Sequence, residues 1–84
     1  MIMGIYVVYD RVAEQSMPIF ESKTDGTALR AYQKGIIDAD DVPEEEMMLL
    51  KLGNINHDTN MIELLEAPRE VEVRISLVEE EDAI

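Results

Sequence analysis

The sequence predicts an α+β fold: a mainly antiparallel sheet of about four to five strands, one helix packed on one face, and an acidic C-terminal tail. Three observations carry that expectation. The chain opens on a β-branched and aromatic run, Ile-Met-Gly-Ile-Tyr-Val-Val-Tyr over residues 2–9. Its middle changes to helical spacing, with Ala28, Leu29, Tyr32 and Ile36 falling on one face. Towards its end Val71, Val73, Ile75 and Leu77 alternate with Glu72, Arg74 and Ser76, the period of a half-buried strand.

The first run is almost unbroken in apolar residues. That marks a central strand covered on both faces, or covered by the helix on one face and a partner chain on the other. Gly4 is a candidate bulge within it. Residues 11–17 are polar or small and read as a loop, and Pro18-Ile19-Phe20-Glu21-Ser22 reads as a short edge strand that Pro18 suits as a start. Thr24 or Asp25 caps a helix expected over residues 25–37, where Gly35 weakens the last turn. Asp38-Ala39-Asp40-Asp41 is then an exposed connection, and Pro43 with Glu44-Glu45-Glu46 favours a brief helical turn. Residues 47–52 and 61–65 are expected to form a hairpin about the turn formers at 56–60. A helix competes for residues 47–52, because Met, Leu and Lys favour helices intrinsically. Ala67-Pro68-Arg69 is expected to break the chain before a last strand over residues 71–77. The single domain thus occupies residues 1–78, and residues 79–84 form a charged tail that cannot fold alone.

Composition removes whole classes of function. Without cysteine there are no disulfides, thiolate metal sites or cysteine nucleophiles, which suits a reducing cytoplasm. Nineteen Asp and Glu against seven Lys and Arg leave a formal charge of -12, the opposite of a phosphate-binding footprint. No apolar run approaches the ~20 residues of a membrane span, and the N-terminus lacks the basic flank of a leader, so neither membrane nor export is expected.

Catalytic and cofactor signatures are missing as well. His57 and Asp58 are neighbours inside a turn, which does not make a proton relay, and no serine lies in a Gly-x-Ser-x-Gly elbow. Glycines form no phosphate cradle, so no cofactor and no enzymatic activity are expected. Asp38, Asp40, Asp41, Glu44, Glu45 and Glu46 gather carboxylates, but calcium-loop spacing begun at Asp38 or Asn54 fails at the glycine position. They read as a solvated acidic surface open to a partner. Lys23, Arg30 and Lys34, with Tyr32 and Phe20 as stacking platforms, are the candidate nucleic-acid or partner surface. The six methionines suit an adaptable surface, but Met47-Met48 fits a core. Covering the first strand on both faces is hard for so short a chain, so self-association as a homodimer is expected.

Two stretches carry a resemblance to a known family. They are Tyr9-Asp10-Arg11-Val12-Ala13-Glu14 with Pro18-Ile19-Phe20-Glu21-Ser22-Lys23-Thr24-Asp25-Gly26-Thr27-Ala28-Leu29-Arg30, and Leu52-Gly53-Asn54-Ile55-Asn56-His57-Asp58-Thr59. Together they resemble the small nonstructural protein of gokushoviruses, single-stranded DNA microviruses of bacteria, over roughly residues 5–75. The resemblance implies a bacteriophage protein of the host cytoplasm, in a family commonly labelled DNA-binding. Its members are compared with a coliphage protein that switches replication to single-strand synthesis with packaging. The charge favours, within that frame, contacts with a phage replication initiator, a procapsid or a host replication protein. An acidic DNA mimic that blocks a host DNA-binding protein is the alternative, and a weak single-stranded DNA binder is the third reading.

Overall fold

β1 (Ile2–Asp10) runs through the middle of an antiparallel sheet in the computed structural model, which describes residues 1–38 and 44–72. Two short strands, β2 (Gln15–Ser16) and β3 (Phe20–Ser22), pair with one side of β1, and β4 (Met47–Asn56) pairs with the other. β5 (Met61–Glu70) lies outside β4, giving a five-stranded α+β sheet with helix α1 (Asp25–Asp38) between β3 and β4 in the chain. A single turn of 3-10 helix, Glu44–Glu46, leads into β4, as the proline and acidic run predict.

Alternation along β1 sorts its side chains. Tyr6 and Val8 lie on the helix side, in a core of Tyr6, Ala28, Tyr32, Met47, Leu49 and Val71 against which Val8, Phe20 and Leu29 pack. Ile5 and Val7, on the opposite side, are buried too, which is why the run needs no polar alternation. Burying a side chain such as Leu49 contributes about 1.5–3 kcal/mol relative to leaving it exposed.

The helix begins where Thr24 accepts the Thr27 backbone N–H at 3.1 Å, so Thr24 and not Asp25 is the cap. The hairpin turn is closed by Asn56, whose carbonyl accepts from Asn60 at 2.7 Å and whose side chain accepts from the Asp58 N–H at 2.9 Å. Asn60 takes the left-handed conformation, φ 63°, which Asn tolerates better than most residues.

Several expectations are corrected. The 11–17 loop contains β2, whereas the expected hairpin strand at residues 47–52 does form, in place of its helical competitor, and runs on to Asn56. The free edge of β1 supplies a ladder, and alternate residues Met47 and Leu49 reach the core. Residues 67–69 do not break the chain. β5 continues to Glu70 because it is an outer strand, and between the Leu64 and Arg69 pairs its residues 65–68 oppose only Leu52. A bulge on an edge strand is where a proline lacking its N–H costs little. Gly4 is not the bulge; the register with β4 shifts between Ile5 and Tyr6. Its missing side chain admits the Tyr6 ring, since a Cβ there would stand 2.6 Å from Tyr6 Cε1. Gly53 is needed for a backbone approach, because its Cβ would stand 2.2 Å from the Glu63 carbonyl oxygen. Val71 follows β5, buried, with its N–H bonded to the Leu49 carbonyl at 2.8 Å. The remainder of the expected last strand, residues 73–77, and the tail, residues 79–84, lie outside the described residues.

Candidate partner-binding surfaces

A polar network fastens the start of α1 to the sheet. Tyr6, 1% exposed, donates its hydroxyl to Asp25 Oδ1 at 2.6 Å, and Arg69 Nη2 of β5 donates to Asp25 Oδ2 at 3.1 Å. Lys51 Nζ stands 5.9 Å from the centre of the Tyr6 ring, and Phe20 stacks on that ring with centroids 5.8 Å apart. Burial, reinforced by the Asp25 carboxylate, pushes the Tyr6 hydroxyl far above its ordinary value. The hydrogen bond from Tyr6, helped by Arg69 and opposed by burial, holds Asp25 below the usual carboxylate range.

These shifts set two edges of stability. The lowered Asp25 contributes stability above about pH 4 that is lost as pH falls through its folded value. The raised Tyr6 contributes stability that is complete below about pH 10 and lost as pH rises beyond it. Thermal melts across the alkaline range are therefore expected to fall more steeply for the native chain than for Tyr6→Phe, which has no hydroxyl to ionise. Parallel alkaline curves for the two proteins contradict this assignment.

The structure separates the residues of the expected basic surface. At 100° per residue, Arg30 and Lys34 lie on the side of α1 opposite Ala28 and Tyr32, and both are exposed. Lys23 is exposed on the link before the cap. Tyr32 is buried in the core and Phe20 is half-buried against Tyr6, so neither is a stacking platform beside those cations; their apolar rings are needed to fill the space under the helix. Of the other described cations, Lys51 and Arg69 are held in the Tyr6–Asp25 network, and Arg11 bonds the Glu45 carbonyl.

Of the acidic surface, Glu45 is exposed and Glu46 half-buried. The side chains of Asp38 and Glu44, with Asp40 and Asp41, fall outside the described residues. Among the described residues no group of three or more His, Asp or Glu is arranged to hold a metal ion. His57 bonds not Asp58 but Glu21 of β3, Nε2 to Oε1 at 2.6 Å, while the N-terminal amine pairs with Asp58 at 2.7 Å. Both contacts tie the hairpin turn back to the rest of the sheet.

A surface that the motif reading missed lies at the outer end of the β4–β5 hairpin. Met3, Ile55 and Ile62 form one row across β1, β4 and β5, and Ile5, Gly53 and Leu64 form the next, on the face away from the helix. Ile62 and Leu64 are 54% and 73% exposed. On the helix-side face of the same end a groove of about 360 Å³ is lined by Ile2, Asn54, Asn56, Thr59, Met61 and Glu63. The available signal was the almost unbroken apolar run over residues 61–65, which on an outer strand leaves one apolar face in water. Charge is also uneven: residues 1–38 carry four Lys and Arg against five Asp and Glu, and residues 39–84 carry three against fourteen.

Exposed apolar side chains on β5, an outward basic side of α1 and an acidic hairpin define a small scaffold that presents surfaces. A family model described as Phage ORF5 protein matches residues 3–78, and the chain belongs to that family, which makes it a phage accessory protein. No curated protein and no solved structure matches the chain. Among the described residues no helix is long and apolar enough to cross a membrane.

Proposed function

We propose that this phage protein is non-enzymatic and acts in the host bacterial cytoplasm, through protein-protein contacts in genome replication or single-stranded DNA packaging. The observation that carries the reading is the separation of cations from aromatic rings. Arg30 and Lys34 face away from Tyr32, so the helix offers one pair of neighbouring cations with no aromatic ring beside them, on a chain of charge -12. The exposed Ile62 and Leu64 of the hairpin, by contrast, suit a protein partner. A DNA mimic requires carboxylates in rows on one surface. Among the described residues of β5, Glu63 pairs with Asn54 on the helix side while Glu70 pairs with Leu50 on the other, so these two carboxylates do not form such a row.

The test is fluorescence anisotropy of labelled single- and double-stranded DNA titrated with the full chain at low and near-physiological salt. No saturable binding is expected at either salt. Saturable single-strand binding that weakens steeply as salt rises overturns the reading in favour of a nucleic-acid role.

A further inference from the structure

We infer that the outer edge of β5 at residues 61–64 is a docking edge for an extended partner segment in which basic and apolar residues alternate. This deepens the protein-contact reading and rests on it. Three features of the hairpin converge on that occupant. Among the described residues no strand pairs with the outer side of β5, so its backbone N–H and C=O groups there form a template for an added strand.

The two faces flanking that edge differ in chemistry. On the face away from the helix, Ile62 and Leu64 are exposed apolar side chains in register with Ile55 and Gly53. On the helix side stand Met61 and the Glu63 carboxylate, lining the groove with Asn54, Asn56, Thr59 and Ile2. A strand laid along β5 turns its side chains alternately to these faces. One set covers Ile62 and Leu64. The other enters the groove, where the stem of a Lys or Arg lies on Met61 and Ile2 and its charge meets Glu63. The bulge over residues 65–68 ends regular pairing at Leu64 and so limits the added strand to the edge at residues 61–64.

Charge decides between a basic partner and a second copy of this chain. A second β5 would bring another Glu63 to the edge, between two chains of charge -12 each. A basic strand meets the opposite situation.

The probes are two synthetic peptides, one alternating Lys with Val and one alternating Glu with Val, titrated against the full chain and followed by anisotropy and by backbone amide exchange. The lysine peptide is expected to bind at least about tenfold more tightly than the glutamate peptide and to slow exchange at residues 61–64. Glu63→Lys is expected to remove most of that preference, and Leu64→Ser to weaken binding of the lysine peptide; both sites are exposed, so neither change should unfold the chain. Equal binding of the two peptides, unchanged exchange at residues 61–64, or protection that grows with protein concentration in the absence of peptide overturns the inference. The last outcome assigns the edge to a second copy. In infection, Glu63→Lys that preserves packaging where deletion of the protein abolishes it refutes the docking edge and leaves the protein-contact reading intact.

Discussion

Tyr6→Ala is expected to leave the chain largely unfolded at 25 °C. The ring is 1% exposed and sits at the centre of the core, stacked on Phe20 and filling the space that Gly4 leaves open. Truncating a buried aromatic to alanine costs about 3–5 kcal/mol, which rivals the whole stability a core of this size usually supplies. The same change deprives Asp25 of the hydroxyl at 2.6 Å and weakens the link between α1, β1 and Arg69 of β5. Urea titrations followed by far-ultraviolet circular dichroism read the effect directly. Tyr6→Phe is the informative companion, since it keeps the ring and loses one hydrogen bond to a carboxylate, a change of about 1.5–3 kcal/mol. A Tyr6→Ala protein as stable as the native chain would mean that the core described here does not hold the fold together.

Which parts of this architecture were legible in the sequence follows from what each residue depends on. The central strand, the helix and the turn at residues 57–60 are set by local pattern: an apolar run, a 3.6-residue period with Thr24 at its start, and a cluster of Asn, Asp and Thr. β2 is two residues long and exists only because β1 offers an edge near Asp10, so nothing in Gln15-Ser16 announces it. Pro68 misleads for a similar reason. A proline breaks a strand that needs its N–H, and whether it is needed depends on lying at the edge, opposite a single residue of β4.

The expected surfaces divide along the same line. Arg30 and Lys34 share an exposed helix side as their spacing of four predicts, but Tyr32, two residues from each, turns into the core. Phe20 is a candidate platform only as one of the few aromatic residues; its burial comes from Tyr6, fourteen residues earlier in the chain, and is invisible locally. The same holds for the Tyr6–Asp25–Arg69 network, whose members meet only after the sheet and helix have packed.

The largest biological effect is expected on removing the protein altogether. Under the proposed recruitment role, loss of the protein interrupts a step in the phage cycle instead of slowing a reaction. Because the helix cations are not assigned a DNA-binding role, neutralising them at exposed positions should leave that step untouched. The decisive measurement is the number of packaged genomes per progeny particle from phage lacking this protein, with and without the native chain or the Arg30→Gln/Lys34→Gln variant supplied in trans. Deletion is expected to remove most packaged genomes, and both supplied proteins are expected to restore them. Normal packaging by the deletion phage, or restoration by the native chain alone, would contradict the proposed role.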